Sequence, residues 1–175
     1  MSFQSINIRQ TRHPAALLAD EWALLSAGTP ERWNAMTVNW GGVGELWGFS
    51  AALVFVRPQR YTFEFMQENE CFTLSFGLPK ETTNLCGEIS GRDCDKIARA
   101  GLAAHSEGAA IWPATAKLVL VCRKVFAQDM NSAGFVDPNL AQQHYPEKDY
   151  HRMFVGEIMR VYQRRQSRPI SSHVR

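Results

Sequence analysis

The segment VRPQRYT, residues 56–62, combines residue types that bind anions. Its proline favours extended backbone at Arg57. Arg60, Tyr61 and Thr62 follow where a helix is predicted to begin. Free N–H groups at a helix start, a threonine hydroxyl and guanidinium groups together form a complete anion site. The alternative is a pair of solvated arginines beside Thr62 as an ordinary helix cap, although the glutamate of a capping box is absent.

A second segment contains glycines at a spacing that is associated with the binding of dinucleotide phosphates. Gly42, Gly44 and Gly48 form G-x-G-x-x-x-G. That fingerprint requires a strand, a glycine turn and then a helix, whereas a β-rich run starts at Ala51. We therefore interpret these glycines as a flexible turn between two strands, where the backbone is open to a flat ligand.

No acid–base or metal motif accompanies these segments. The sequence contains no Ser–His–Asp spacing, no H-E-x-x-H and no P-loop. Its four cysteines form no C-x-x-C pair, and Cys86 and Cys94 have no histidine at ligand spacing. Buried, reduced thiols are predicted instead of a metal site. The side chains therefore indicate no catalytic constellation of their own.

Composition and charge indicate one globular domain. The chain of 175 residues is 45% hydrophobic with a formal net charge of +2, which predicts no nucleic-acid partner. The longest apolar stretches are too short to cross a bilayer, so no membrane partner is expected. The N-terminus lacks the pattern of a secretory signal, so we expect a cytoplasmic location. Residues 1–162 are assigned to the domain, and residues 163–175 to a basic tail that is solvated or covers a partner.

For most of the chain, the sequence pattern predicts short strands bounded by glycine or proline. Gly91 is predicted to end one helix and Asp93 to cap the next. Many strands, few helices and hairpin-like spacing predict a mainly β fold, an antiparallel barrel with helices at its edges. The predicted strands cover residues 23–28, 35–40, 51–58, 71–78, 117–130 and 152–164, and the predicted helices cover residues 13–22, 61–70, 80–90 and 93–101, with one helical turn within 137–145.

Three sequence blocks carry a resemblance to a known family. They are NAMTVNW (residues 34–40), VRPQRYT (56–62) and SGRDCDK (90–96), and HRMFVGEI (151–158) follows near the end. In this order they resemble the flavin reductase and flavoredoxin family. The likeness runs from about Ala15 to Tyr162. It implies the FMN-binding split β-barrel, an antiparallel, Greek-key-like fold with short peripheral helices.

The resemblance implies a position for the isoalloxazine ring along the first block. In the family this segment lines the ring, which would assign flavin contacts to Asn34, Ala35, Met36, Thr37 and Trp40. Their amide and hydroxyl groups suit the polar pyrimidine side and the region of flavin N5, with Thr37 as the catalytic candidate. The alternative is an ordinary strand in which Met36 belongs to the core while Thr37 and Asn34 face water.

The other blocks are expected to hold the phosphate arm. By resemblance, the anion site of residues 56–62 binds the FMN phosphate, and Ser90, Gly91 and Lys96 support the ribityl phosphate. A plain helix–turn–helix connection explains Gly91 equally well. His151 is placed near the ring, although a lone histidine at a strand start is often structural.

The resemblance also implies an activity and partners. The expected function is electron transfer from NAD(P)H through flavin N5 to free flavin or another acceptor, in a homodimer with the flavin near the subunit interface. Two alternatives remain, a flavoredoxin-like electron carrier that is reduced by a protein partner and a binding module that holds flavin without turnover.

Overall fold

The computed structural model describes residues 3–8 and 14–165. Within these residues it contains ten strands and five α-helices, and a 3₁₀ turn lies at Ser132–Gly134. The strands are β1 (Phe3–Ser5), β2 (Ala23–Gly28), β3 (Trp33–Val38), β4 (Gly41–Leu46), β5 (Phe49–Val56), β6 (Cys71–Phe76), β7 (Ala104–Glu107), β8 (Ala110–Pro113), β9 (Leu118–Asp129) and β10 (Arg152–Arg164). The helices are α1 (Pro14–Glu21), α2 (Tyr61–Glu68), α3 (Lys80–Glu88), α4 (Lys96–Arg99) and α5 (Pro138–His144).

Eight of the strands form one antiparallel sheet in the order β3-β2-β6-β9-β10-β5-β4, with β1 added beside β10. Side chains from β2, β5, β6, β9 and β10 meet in a single buried cluster, so the sheet curls around its own core. Helix α2 adds Phe63, Phe65 and Met66 to this cluster, as the apolar spacing of its sequence predicts. The long strands β9 and β10 therefore form the centre of the fold.

The glycine-rich segment after β3 is a strand and not a flexible turn. Gly42 and Gly44 lie inside β4, which pairs with β5 in a hairpin. The turn of this hairpin is at Trp47 and Gly48, which both have positive φ. The interpretation of Gly42 and Gly44 as a turn was wrong because the alternating backbone pairing of a hairpin does not depend on β-branched residues.

Two helix caps also differ from the predictions. The side chain of Asp95, not Asp93, caps α4 by accepting a hydrogen bond from the backbone N–H of Ala98 at 3.0 Å. Helix α2 has Arg60 at its N-cap position and no side-chain cap. Thr62 does not cap α2, because it lies one residue inside the helix and its hydroxyl bonds Asn34.

The hairpin of β7 and β8 was not predicted. It forms a separate two-stranded sheet around a turn at Gly108, which has a φ of +58°. Its strands are only four residues long, too short to show a two-residue period. Trp112 of β8 is fully buried and stacks on Tyr162 of β10, with ring centroids 5.4 Å apart. The hairpin therefore covers the outer face of β9 and β10.

The described residues end shortly after β10. This strand reaches Arg164, two residues past the expected domain boundary, and residues 166–175 of the predicted basic tail lie outside the described part. None of the described helices has the length and apolar character that a bilayer crossing requires. Within the same residues, no three His, Cys, Asp or Glu side chains come together as metal ligands.

Candidate functional site

Two neighbouring cavities lie between β3, the start of α2 and the end of α3. We call the first the basic cavity, a space of about 430 Å³. The second, the aromatic cavity, has about 200 Å³. Met36, Arg57 and Arg60 line both, so the cavities adjoin, and we call the two together the groove. The basic cavity is otherwise lined by Gln59, Tyr61, Thr62, Glu88, Ile89, Ser90, Asp93 and Lys96, and the aromatic cavity by Thr37, Val38, Asn39, Trp40, Phe55 and His151.

A buried hydrogen bond fixes the start of α2 at the basic cavity. The Asn34 side-chain amide donates to Thr62 Oγ1 at 2.8 Å, and both side chains are almost inaccessible. Because this oxygen is the acceptor, the Thr62 hydroxyl keeps its own proton for a further partner. The backbone N–H of Phe63 donates to the Arg60 carbonyl at 2.9 Å, which leaves the N–H groups of Tyr61 and Thr62 at the start of α2, where no side chain caps the helix. The start of α2 therefore offers several hydrogen-bond donors to the basic cavity.

The SGRDCDK turn packs directly on this hydrogen bond. A Cβ at Gly91 would lie 2.8 Å from Asn34 Oδ1 and from the Tyr61 ring, so only glycine allows this approach. Ser90 lines the basic cavity, and its hydroxyl accepts a hydrogen bond from the backbone N–H of Arg92 at 3.2 Å. The turn thus closes the basic cavity without filling it.

Each cation of the basic cavity has protein partners that hold it in place. Arg60 donates to the Gly87 carbonyl at 3.0 Å. Lys96 is 3% exposed, and its Nζ donates to the carbonyls of Cys86 and Ile89 at 3.3 and 3.2 Å. Burial lowers the pKa of this lysine below its usual value. These bonds leave N–H groups unused on both side chains and keep them at the cavity wall.

Arg57 is anchored on the connection between β9 and β10. It forms an ion pair with Asp149 and donates to the His144 carbonyl at 2.9 Å. Gln59 donates to the same Asp149 oxygen at 2.6 Å. Sequence reasoning identified Arg57 but missed Asp149, which lies 92 residues along the chain with no spacing to signal it.

Two carboxylates also line the basic cavity. Glu88 ends α3 and Asp93 lies in the following turn. They offset much of the charge of Arg60 and Lys96, while Asp149 offsets that of Arg57. This acidic contribution was not predicted, because Asp93 was assigned to a helix cap.

The residues of the NAMTVNW block (34–40) lie in different surroundings. Met36 and Thr37 line the aromatic cavity, and the Thr37 hydroxyl donates to the Thr83 carbonyl of α3. Asn34, Ala35 and Gly91 line neither cavity. Ala35 is fully buried and packs in a cluster with Leu24 and Cys86. The Thr37 proton is therefore already used inside the protein.

The far wall of the aromatic cavity is made by Trp40 and His151. Trp40 is 43% exposed, and its ring lies 5.3 Å from that of His151 and 5.4 Å from that of His144, between centroids. His151 is 8% exposed, and its Nδ1 lies 2.8 Å from the hydroxyl oxygen of Tyr145. Burial, and then the nearby Arg57 charge, lower the pKa of His151 to about 4. The imidazole is therefore neutral at pH 7.

Similar folds were found among solved structures, while no family model and no curated protein matches the chain. An FMN-binding domain of a flavin reductase-like enzyme from Shewanella baltica aligns with a TM-score of 0.65 at 17% identity, over 93% of this chain and 77% of that one. Flavoredoxin from Methanosarcina acetivorans aligns with a TM-score of 0.65 at 23% identity, over 92% and 75%. An NADH:FAD oxidoreductase from Streptomyces globisporus, in complex with NAD and FAD fragments, gives 0.61 at 14%, over 86% and 87%.

These likenesses establish the fold. The chain has the FMN-binding split-barrel fold, mainly antiparallel β with a few short helices, which confirms the fold prediction. The neighbours include flavin reductase-like proteins and flavoredoxins, the two groups that the sequence blocks resemble.

Proposed function

We propose that the protein binds FMN and transfers electrons from NAD(P)H through the flavin to free flavin or another acceptor. The observation that carries this proposal is the groove of two adjoining cavities, which has anion donors at one end and aromatic walls at the other. A molecule with a phosphate and a flat ring suits both ends at once. We place this activity in the cytoplasm, where NAD(P)H is available.

The basic cavity fits a phosphate monoester. The Thr62 hydroxyl, the first N–H groups of α2 and the side chains of Arg60 and Lys96 supply donors around it. We assign Tyr61 and Ser90 to the wall that holds the adjoining ribityl arm, with Gly91 packed behind Tyr61. Arg57, between the two cavities, is assigned a longer-range electrostatic role because its guanidinium already bonds Asp149 and His144.

The aromatic cavity fits the flavin ring. Met36 and Trp40 supply apolar contact area, and β3 is an edge strand whose alternate N–H groups point away from β2. Those backbone donors take the role that the sequence assigned to the Thr37 hydroxyl, since that proton bonds Thr83. Thr37 still presents its oxygen as an acceptor. When bound, FMN supplies the hydride and electron chemistry that the side chains lack.

A flavoredoxin-like electron carrier is the second candidate. The exposed Trp40 at the mouth of the aromatic cavity favours it, because a redox protein could approach the ring there. Steady-state NAD(P)H oxidation separates the candidates. Turnover that rises with added free FMN supports a reductase, reduction only by a protein donor supports a carrier, and neither indicates a binding module.

We also propose that the protein is a homodimer. An aromatic patch on the β4–β5 hairpin and β9 consists of Trp47, which is 62% exposed, Phe49 and Phe126, with ring centroids about 6 Å apart. Clustered exposed aromatic side chains are typical of association surfaces. Light scattering should give the dimer mass, and Trp47→Ser should shift the equilibrium towards monomer.

Flavin titration tests the binding proposal directly. We expect the apoprotein to quench FMN fluorescence with a lower Kd than for FAD, because the cavity is built around a terminal phosphate and an adenylate must extend outside it. An absorbance spectrum of the purified protein checks whether flavin copurifies. Equal or tighter binding of FAD contradicts the assigned phosphate position, and binding of neither flavin contradicts the proposed function.

A further inference from the structure

The two ring nitrogens of His151 face different surroundings. Nδ1 lies 2.8 Å from the Tyr145 hydroxyl oxygen. Nε2 makes no hydrogen bond to the described residues, and it is not among their buried nitrogen and oxygen atoms that lack a partner. Because His151 lines the aromatic cavity, Nε2 is the nitrogen that a molecule in this cavity can reach.

The surroundings of Tyr145 decide where its hydroxyl proton goes. The side chain is 5% exposed, and its other acceptor is Met130 Sδ at 3.9 Å. A thioether is a weak acceptor, whereas an unprotonated imidazole nitrogen at 2.8 Å is a strong one. The hydroxyl therefore donates to Nδ1, and a neutral imidazole must then carry its own proton on Nε2.

The charges around His151 keep the ring uncharged. The Arg57 guanidinium lies 5.1 Å from the Tyr145 ring centroid and, with Arg60, lines the same cavity as His151. Asp149 pairs with Arg57 and offsets part of this positive charge. Burial and the arginines together lower the pKa of His151 to about 4. An imidazolium is therefore disfavoured beside this groove.

We propose that Tyr145 is a positioning residue that holds His151 as its Nε2–H tautomer, so that the aromatic cavity presents an uncharged N–H donor to a carbonyl oxygen of the bound substrate. This rests on the proposed function, since it places the substrate beside the flavin ring. Because Nε2–H only donates, it selects flat molecules that carry a carbonyl or carboxamide oxygen at this position. No counter-charge is required of such a substrate.

The tautomer is measurable without flavin, by ¹⁵N NMR of protein labelled in histidine. Between pH 6 and 8 we expect a pyrrole-type Nε2 and a pyridine-type Nδ1 for His151. The reverse pattern in the wild-type protein overturns the proposal. This measurement does not depend on flavin binding, so its failure is distinguishable from failure of the proposed function.

Two tyrosine variants test the positioning role. Tyr145→Phe should give a mixture of both His151 tautomers, because Nδ1 loses its donor. Tyr150→Phe is the matched control, since the Tyr150 ring contacts that of Tyr145 with centroids 5.0 Å apart and has no bond to His151. It should leave the tautomer unchanged. In protein loaded with FMN, Tyr145→Phe should raise KM for a nicotinamide substrate several-fold. An unchanged tautomer in Tyr145→Phe overturns the proposal.

Discussion

The basic and aromatic cavities share Met36, Arg57 and Arg60, but they differ in how firmly their other side chains are held. In the basic cavity, hydrogen bonds from Arg60, Lys96 and Asn34 to other protein groups hold the wall in one arrangement. In the aromatic cavity, His151 Nε2 has no partner among the described residues and Trp40 is 43% exposed. A preorganised pocket suits a group that stays bound, and an open one suits molecules that enter and leave. With FMN bound as proposed, we expect the basic cavity to retain the flavin through its phosphate, and substrates to exchange beside the ring in the aromatic cavity.

Thr62→Ala should have the largest effect, because Thr62 both contributes to the wall and provides a donor for the ligand. Losing its oxygen leaves the buried Asn34 amide without this partner, which costs about 1–3 kcal/mol of unfolding free energy. Losing its proton should weaken FMN binding about tenfold. Denaturant unfolding without flavin and FMN titration measure the two effects. Stability equal to wild type would show that the Asn34–Thr62 bond does not hold the wall together.

Arg60→Ala should affect the ligand alone. A charge-assisted hydrogen bond contributes roughly 1.5–3 kcal/mol, so the Kd for FMN should rise about tenfold or more. Riboflavin lacks the phosphate and should bind as it does to the wild type. Arg123→Ala, which removes an exposed ion pair with Glu157 on the sheet, is the control and should change neither affinity. Equal weakening of FMN and riboflavin binding would show that Arg60 is not part of the anion site, and Arg57 and Lys96 would be the next candidates.

The aromatic cavity predicts a pH dependence of stability. The pKa of His151 is lowered from 6.5 to about 4, so the unfolded chain binds more protons between these values. The contribution of His151 to the unfolding free energy should therefore be fully present above pH 6.5. It should be lost as the pH drops towards 4, by about 1–2 kcal/mol between pH 7 and pH 5. His151→Gln should lose this part of the slope. Parallel wild-type and variant curves would show that His151 titrates normally in the folded protein.

Thr37→Val should have the smallest effect. It removes the hydroxyl that bonds the Thr83 carbonyl, at a cost of about 1 kcal/mol, while keeping the shape of the side chain. We expect FMN to stay bound and its reduction, measured by stopped flow, to slow a few-fold as β3 shifts. Unchanged reduction rates would leave Thr37 as a strand residue with no part in turnover.

Local sequence patterns predicted the strands and helices around the groove, but not the contacts between residues that are distant in sequence. Strand and helix periodicity found α2 and the strands on either side of it, because each is a continuous run that contributes to the core. The blocks around Arg60 and Lys96 were brought to one cavity, as expected from their resemblance. Tyr145 and Asp149 were missed because their partners are set by how the β9–β10 connection folds back on Arg57.

The caps of α2 and α4 show a further limit of sequence reasoning. Thr62 and Asp93 are residue types that cap helices, and both lie at plausible positions. In the folded protein the Thr62 oxygen bonds Asn34, and Asp95 has the backbone geometry to reach Ala98. Choices between neighbouring polar residues depend on tertiary contacts of this kind, which no local pattern contains.

The place of β3 in the sheet has a consequence for how the molecule opens. Within the described residues β3 pairs only with β2, whereas β10 is flanked by β9, β5 and β1. Partial unfolding starts where the fewest ladder bonds must break, so amide protons of β3 should exchange with solvent well before those of β10. Like β4 and β1, which also pair with one strand each among the described residues, β3 should thus loosen before the centre of the sheet. With FMN bound as proposed, deuterium uptake should slow far more in β3 than at that centre.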